Sequence, residues 1–525
     1  MTALWLAWLV APLLAAGAQA SAGYRVAGVV VNAASGQPVA GARVTIAPAD
    51  RPSERVSAVS GEDGRFAFTG LPQGKYALAG QRRGFLAQTY GQQAGWPSAI
   101  VTGPGQDTES VVLRLSPPAA ISGTVVDDAG DPVAQALVEL FSSRIIAGRR
   151  QVTQDSFKRT DDTGAYRFSS LPAGSYHLVV SGVPWYAKFN ETVGDAAPRS
   201  MTHAGYGIRY YPNAGDPAAA EPLMLSAGQE AVANFTLLPV PTVSVRVHCE
   251  QHGDLTKQYT LIAAGLPGNP VQVRQGGGTG DLYNLWSIVP GHYALRAEAT
   301  DGSRTWYGAS EFDVGAADTD VSVTLLDAPT LSGRVVPESG GALPSQLTLV
   351  LRDDAGHSHP LVASADGRFS IPAIPPGRYR VAFAGADDYY LEGWSVEGAR
   401  RAGEMLDIPP GAAVRLTLSA ARGIGRIAGT VYRDRQPLPG ALVVLSPANR
   451  ATPSNSDGTF EFRGLPPGEY ALFAVEEGAD GADLEYANPA AIRPYLSGAK
   501  KVRVSAADPD KVGQTVSPVF PKPLQ

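Results

Sequence analysis

The feature that most constrains the fold of this chain is a short pattern that recurs along its 525 residues. In four places a glycine is followed two residues later by a valine, and these glycines are Gly28, Gly123, Gly333 and Gly429. About 95 residues separate Gly28 from Gly123 and Gly333 from Gly429, and about twice that number separates Gly123 from Gly333. Such a period indicates tandem domains, and the wide interval predicts one further unit.

A second motif, Leu-Pro-x-Gly-x-Tyr or a close variant, ends at Tyr76, Tyr176, Tyr379 and Tyr470. A shortened copy that ends at Tyr293 falls in the wide interval. The sequence therefore predicts five units of about 100 residues each, a usual size for a domain. The predicted boundaries are 21–118, 119–241 with a long aromatic loop, 242–328 with a degenerate pattern, 329–420, 421–517 and a tail at 518–525.

The pattern inside each unit is typical of β-strands. Asp63-Gly64 is followed by Phe66 and Phe68, an alternation that places both rings on one face of a strand. Asp-Gly suits a tight hairpin, because glycine adopts positive φ at no steric cost. Leu-Pro-x-Gly then ends the strand, since proline cannot donate to a sheet ladder. Several short strands per unit predict an all-β array of five β-sandwich modules.

These motifs, in this fixed order, resemble the carboxypeptidase regulatory-like domain. The resemblance covers the first, second, fourth and fifth units well and the third poorly. It implies an Ig-like or transthyretin-like sandwich, related in shape to carbohydrate-binding modules. It also implies a non-catalytic accessory or surface role, since no peptidase domain is recognisable in the sequence.

The first 20 residues are predicted to be a cleaved signal peptide. An apolar run from Leu4 to Gly17 precedes Ala18-Gln19-Ala20, a small-x-small cleavage pattern. The run is shorter than the ~20 residues of a membrane span, although an uncleaved anchor or a buried helix is the alternative. No later segment is apolar enough to span a membrane, so we expect a periplasmic, cell-surface or extracellular protein.

The net charge argues against a nucleic-acid-binding protein, and the cysteine content excludes a fold held together by disulfide bonds. Forty-three basic residues against 49 acidic ones give a net charge of −6, which argues against a nucleic-acid partner. Cys249 is the only cysteine, so no intrachain disulfide can form. The sequence also predicts no cofactor.

Catalytic and metal-binding motifs are sparse. The sequence contains neither a zinc-peptidase helix motif nor a Gly-x-Ser-x-Gly elbow. His357 and His359, or the acidic loop of Asp127, Asp128 and Asp131, could hold a divalent cation. Polar turns are the favoured interpretation of both, so the predictions are no metal site, no catalytic residue and no enzyme.

Aromatic residues collect after the Tyr-x-Leu strand of each unit. Flat rings on loops can stack on sugar C–H faces, or they can fill the joints between units. The predicted ligand-binding residues are Trp185, Tyr186, Tyr206, Tyr210, Tyr211, Tyr389, Tyr390 and Trp394, and similar aromatics are Tyr90, Trp96, Trp306, Tyr307, Tyr486 and Tyr495.

Together these features predict an exported, non-catalytic binding or spacer protein with a glycan or cell-surface protein as its partner. Prolines between the units should stiffen the joints, so we expect a monomeric, extended rod. The alternative function is a dedicated carbohydrate-binding protein that uses its loop aromatics.

Overall fold

The computed structural model describes residues 23–91, 98–187, 204–249, 255–338, 343, 347–353, 357–384, 389–476, 483–505 and 508–519. Regular structure in these residues is almost entirely β-strand, and the strands form pairs of sheets. The predicted all-β array of sandwiches is thereby confirmed. The predicted signal peptide and Trp96 lie outside the described residues.

The first unit shows the strand order that recurs along the chain. Its strands are β1 (Tyr24–Asn32), β2 (Arg43–Pro48), β3 (Val56–Val59), β4 (Arg65–Leu71), β5 (Gly74–Gln81), β6 (Gln88–Thr89), β7 (Ile100–Thr102) and β8 (Val111–Leu115). β1 lies between β4, which is antiparallel to it, and β8, which is parallel. The facing sheet has the order β3-β2-β5-β6, and β7 also pairs with β5.

The second and third units repeat this arrangement. The second contains β9 (Ala119–Asp127), β10 (Leu137–Ile146), β11 (Arg149–Arg159), β12 (Ala165–Leu171), β13 (Gly174–Ser181), β14 (Ala204–Tyr206), β15 (Arg209–Tyr210), β16 (Leu223–Leu225), β17 (Glu230–Val232), β18 (Phe235–Leu237) and β19 (Pro239–Pro241). The third contains β20 (Val243–His248), β21 (Thr256–Leu266), β22 (Asn269–Gly278), β23 (Leu282–Ile288), β24 (Gly291–Thr300), β25 (Thr305–Val314), β26 (Thr319–Ser322) and β27 (Leu326–Asp327). Despite its degenerate motifs, the third unit keeps a first strand flanked by one antiparallel and one parallel neighbour.

The fourth and fifth units complete the series. The fourth contains β28 (Thr330–Pro337), β29 (Thr348–Asp353), β30 (Ser358–Val362), β31 (Arg368–Ile371), β32 (Gly377–Ala384), β33 (Tyr389–Glu397), β34 (Arg400–Ala402), β35 (Met405–Ile408) and β36 (Ala413–Arg422). The fifth contains β37 (Gly425–Arg433), β38 (Gln436–Pro437), β39 (Leu442–Ser446), β40 (Arg450–Pro453), β41 (Thr459–Leu465), β42 (Gly468–Val475), the helix α1 (Pro489–Leu496), β43 (Lys500–Val504) and β44 (Asp510–Val516). The helix begins at an Asn488 cap followed by a proline, a common helix start.

The repeated glycine of the first strand allows close approach of its parallel neighbour. A Cβ at Gly28 would lie 1.9 Å from the Val111 carbonyl oxygen. The corresponding distances at Gly123, Gly333 and Gly429 are 1.8, 2.3 and 1.9 Å, again to a backbone oxygen. Any side chain would therefore push the first strand and its parallel neighbour apart.

The Asp-Gly turn adopts the expected backbone but not the expected connection. The φ angles of Gly64, Gly164, Gly367 and Gly458 are +74°, +73°, +82° and +74°, although threonine replaces the aspartate before Gly164. However, the strands on either side of the first such turn, β3 and β4, belong to different sheets. The prediction of a hairpin is therefore wrong. The turn carries the chain across the sandwich because the Val30 N–H binds the Gly64 carbonyl at 2.9 Å and fixes the turn to β1.

The tyrosine of the second motif makes the same hydrogen bond in every unit. Its hydroxyl donates to the carbonyl oxygen four residues earlier, at 2.9, 2.8, 2.6, 2.6 and 2.6 Å for Tyr76, Tyr176, Tyr293, Tyr379 and Tyr470. Each ring is also at most 7% exposed. The motif therefore recurs because it ties the crossing between the sheets to the core.

The fifth unit folds back onto the first. The Ser98 hydroxyl donates to the Ser454 carbonyl at 3.1 Å, and the Val101 N–H donates to the Ser456 hydroxyl at 2.9 Å. In return the Ser456 N–H donates to the Ala99 carbonyl at 2.9 Å. Units that lie at opposite ends of the sequence are thus in contact.

The fifth unit also packs against the second. The Ala487 N–H donates to the Gly148 carbonyl at 2.9 Å, and Arg150 lies 3.3 Å from the Asp483 carboxylate. Ile145 joins the apolar cluster beside the helix α1. The predicted extended rod is therefore wrong. Stiff linkers determine contacts only between neighbours in the sequence, and here polar loop groups join units that are far apart in it.

Candidate functional site

The most exposed of the predicted ligand-binding residues is Trp185. It lies in a short 3-10 turn, Trp185–Ala187, that follows β13. The turn is closed by the Ala187 N–H on the Pro184 carbonyl at 2.9 Å, and Ala187 is wholly buried. Trp185 is 72% exposed and meets Tyr186 edge to face, with 5.6 Å between ring centroids. A buried alanine thus anchors a turn that presents an indole to solvent.

The three other predicted residues of the second unit are packed. Tyr206 is 5% exposed in the core of this unit, and Tyr211 meets Phe235 edge to face at 6.4 Å. Tyr210 is 1% exposed, and its hydroxyl donates to the Ala264 carbonyl of the third unit at 3.0 Å. Burial raises the pKa of both Tyr206 and Tyr210 to about 12. Tyr210 accordingly fills a joint between units.

The fourth unit holds the remaining three predicted residues on β33. Tyr389 and Trp394 pack partly against the core of this unit. The guanidinium of Arg422 lies 4.7 Å from the Tyr389 ring centroid, and that of Arg401 lies 4.3 Å from the Trp394 ring centroid. Tyr390, which lies between them in the sequence, is half-buried. This second aromatic group is therefore covered in part by arginine and lies in a different unit from Trp185.

Asp127 and His357, from the acidic and histidine groups named from the sequence, are engaged in local contacts. Asp127 accepts N–H groups from Ala129 and Asp131 at 3.0 and 2.9 Å, as a turn carboxylate does. His357 Nδ1 lies 2.9 Å from an Asp353 carboxylate oxygen. Among the residues that the structure describes, no three His, Cys, Asp or Glu side chains are grouped so as to hold a metal ion.

A groove in the first unit was not anticipated from the sequence. It is open, has a volume of about 530 Å³, and is lined by Arg43, Arg82, Arg83 and Phe85 among others. Arg43 and the Arg82-Arg83 pair lie far apart in the sequence, and the pairing of β2 with β5 brings them together. The available signal was a pair of arginines directly after a strand.

Within the described parts of the chain, no helix combines the length and the apolar character that crossing a bilayer requires.

The fold and the repeated motifs define a class of multi-unit β-sandwich protein. The family model for the carboxypeptidase regulatory-like domain matches residues 25–116, 120–238 and 426–511. These matches cover more than half of the chain, which therefore belongs to this family. The matched residues include the first, second and fifth units; the predicted match to the fourth is not among them.

Solved structures with similarity to the chain include three from Gram-positive bacteria. The minor pilin GBS52 of Streptococcus agalactiae is 14% identical, with a TM-score of 0.23, over 42% of this chain and 98% of that one. A streptococcal ancillary pilin is 11% identical, with a TM-score of 0.19, over 57% and 99%. The Bacillus anthracis TIE protein is 12% identical, with a TM-score of 0.15, over 72% and 68%. No protein of curated function matches the sequence.

Proposed function

We propose that this chain is an exported, non-catalytic, multi-module protein that binds or spaces partners outside the cytoplasm. Its family membership supports the accessory role, and the apolar run before Ala18-Gln19-Ala20 supports export. The observation that carries the proposal is the hydrogen bonding of residues 98–101 to residues 454–456. These bonds join the first unit to the fifth, so that loops of units far apart in the sequence are displayed together.

The proposed modules are those predicted from the sequence, with boundaries at residues 118, 241, 328, 420 and 517. Pairing of sheets within each segment supports this division, except that β36 of the fourth module extends two residues past residue 420, to Arg422. The tyrosine hydroxyl bond that occurs once in each segment supports it as well.

The mechanism is geometric, and it depends on stiff joints. The joint between the second and third modules is a buried cluster of Phe141, Val179, Tyr210, Leu266 and Val271. Burial of such side chains stabilises a contact by about 1.5–3 kcal/mol each. The two modules are therefore expected to move as one body.

An array of glycans and cell-surface proteins tests this function when it is probed with residues 21–525. We expect saturable binding to at least one partner, which mass spectrometry then recovers chemically unchanged. A partner that is recovered cleaved or modified would show that the chain is an enzyme and contradict the proposal.

The second candidate function is carbohydrate binding, and the exposure of Trp185 favours it. An indole that is 72% exposed presents an apolar face to water, and sugar C–H faces stack on such rings. Tyr186 extends this surface, and Tyr389, Tyr390 and Trp394 would form a separate contact on the fourth module.

Affinity electrophoresis through polysaccharide gels tests this candidate. Trp185→Ala should abolish retardation without changing the melting temperature. Phe157→Ala is the matched control, because Phe157 lies in the same module and is 60% exposed. Equal retardation of the wild type and both variants would exclude Trp185 as a sugar contact.

A further inference from the structure

The first unit carries a cationic groove on the outer face of its β3-β2-β5-β6 sheet. Val44 and Ile46 of β2 point into the core, so Arg43 points outwards. Arg43 lies opposite Gln81 at the end of β5. The chain then turns at Gly84, where φ is +84°, and the Phe85 N–H donates to the Arg82 carbonyl at 3.1 Å. This turn places Arg82, Arg83 and Phe85 beside Arg43.

Among the residues that the structure describes, no acidic side chain neutralises the positive charge of this groove. In the part of the chain that the structure describes, no carboxylate lies within ion-pair distance of Arg43, Arg82 or Arg83. With its amide oriented to satisfy its neighbours, Gln81 accepts a hydrogen bond from Arg43 Nε at 2.9 Å. That bond orients one guanidinium. Three like charges held together repel one another, and a bound anion would relieve this repulsion.

The same position in other units shows that the fold does not require these charges. The residue pair equivalent to Arg43–Gln81 is Leu137–Ser181 in the second unit, Gln258–Glu298 in the third, Thr348–Ala384 in the fourth and Leu442–Val475 in the fifth. None of these pairs carries a positive charge, and the third unit has an acidic residue there. The arginines therefore belong to this unit alone and not to the common frame, which points to a role in binding.

We propose that this groove binds an anionic glycan, a saccharide chain that carries carboxylate, phosphate or sulfate groups. The planar guanidinium fork matches all three groups, and the half-buried Phe85 ring offers an apolar face to the sugar. Beyond the arginines, the opposed outward residues of β2 and β5, Thr45 and Ala79, are small, so a linear chain can lie along the sheet.

The backbone around the groove favours a glycan over an acidic peptide. β2 and β5 are each paired on both sides. A peptide strand would therefore find no free backbone groups there with which to extend the sheet. A saccharide needs only the side-chain donors and the apolar ring. This site is independent of Trp185, which lies in the second unit.

Calorimetric titration of residues 21–525 tests the proposal. The probes are polygalacturonate, dextran sulfate and a phosphomannan, which distinguish the three anionic groups, with neutral dextran and poly-glutamate as comparisons. We expect at least one anionic glycan to bind more tightly than neutral dextran and poly-glutamate do. Its affinity should fall as the salt concentration rises. Arg82→Gln/Arg83→Gln should weaken this binding by about tenfold or more, since charged hydrogen bonds are lost.

The matched control is Arg55→Gln/Arg114→Gln, which removes the same charge from exposed positions of the same unit outside the groove lining. It should change the affinity by less than about twofold, as distant surface charges are screened. Equal weakening by both double variants would overturn the site. The proposed ligand would be overturned if no anionic glycan bound. It would also be overturned if neutral dextran or poly-glutamate bound as tightly as the anionic glycans or more tightly.

Discussion

The outer sheet faces of the first and fifth units share one backbone register but are covered differently. In the fifth unit, Leu442, Val444 and Phe473 are buried, and Tyr495 of α1 stacks on Phe473 with 5.6 Å between ring centroids. At the positions of Val444 and Phe473 the first unit has Thr45 and Ala79. One face is closed by a helix and a neighbouring unit, and the other remains open beside the arginine groove.

This difference shows which residues specify the sandwich and which specify its use. Gly28 of the first unit corresponds to Gly429 of the fifth, and the two glycines make the same close approach. Tyr76 likewise corresponds to Tyr470, and both form the same hydroxyl bond. The outward-facing residues of the second sheet differ, and they decide what each unit contacts.

The largest effect is expected at the covered face. Phe473→Ala gives the fifth unit the residue that the first unit has at the same position. It should lower the free energy of unfolding by about 3–5 kcal/mol, because a wholly buried ring is lost. Urea unfolding, with hydrogen exchange to localise the change, measures this. The control, Ala79→Ser in the first unit, should cost less than about 0.5 kcal/mol; similar costs for both variants would contradict the comparison.

The glycine and tyrosine that the first and fifth units share form a common frame, and substitutions of the glycine should have the same effect in both units. Gly28→Ala and Gly429→Ala each place a methyl group 1.9 Å from a backbone oxygen, and each should cost about 3 kcal/mol by forcing the strands apart. Gly393→Ala is the control, because that strand glycine has open space around it. It should be neutral or slightly stabilising. A tolerated Gly28→Ala would refute the close-approach explanation.

Alkaline pH should destabilise units through the buried tyrosines of the frame. Burial raises the pKa of Tyr293 and of Tyr379 to about 12, against about 10 in an unfolded chain. A raised folded pKa means that this stability is complete below pH 10 and is lost as pH rises towards 12. The loss is at most about 2.7 kcal/mol per tyrosine, of which about half is lost by pH 11. Unfolding at pH 8 and pH 11 should show a drop that Tyr293→Phe/Tyr379→Phe reduces. If the double variant lost as much stability between pH 8 and pH 11 as the wild type, groups other than these tyrosines would be responsible.

The smallest effect concerns the shared tyrosine bond. Tyr76→Phe and Tyr470→Phe each remove one hydroxyl bond to a backbone carbonyl, at a cost of about 1 kcal/mol. Denaturant midpoints should shift equally for the two variants if the frame is independent of what covers the outer face. A cost in the fifth unit several times that in the first would show that the helix and the frame are coupled.

Much of the fold could be predicted from the sequence because its determinants are local and repeated. Gly-x-Val, Asp-Gly and Leu-Pro-x-Gly-x-Tyr each encode one backbone requirement, and their order indicates the units. The crossing at Asp-Gly could not be distinguished from a hairpin, because positive φ at Gly64 suits both. The helix α1 was also missed, although Asn488-Pro489 is a typical helix start.

The candidate sites were less predictable because they depend on long-range pairing. Trp185 and Tyr210 looked alike as loop aromatics, yet one is 72% and the other 1% exposed. Tyr486 and Tyr495 show the same sequence pattern, yet both are buried, Tyr486 just before α1 and Tyr495 within it. The contact of Ser98 with Ser454 uses a hydroxyl and a backbone carbonyl, which carry no distinctive sequence pattern.

The central claim is that the fifth unit folds back onto the first two, and small-angle X-ray scattering of residues 21–525 tests it most directly. A domain of about 100 residues has a radius of gyration near 13 Å, so five in a straight row would give roughly 45–50 Å. The contacts described here predict a monomer of roughly 30 Å, which rises when Asn455→Ala/Ser456→Ala weakens the junction. A wild-type value near 45 Å would contradict the folded-back arrangement.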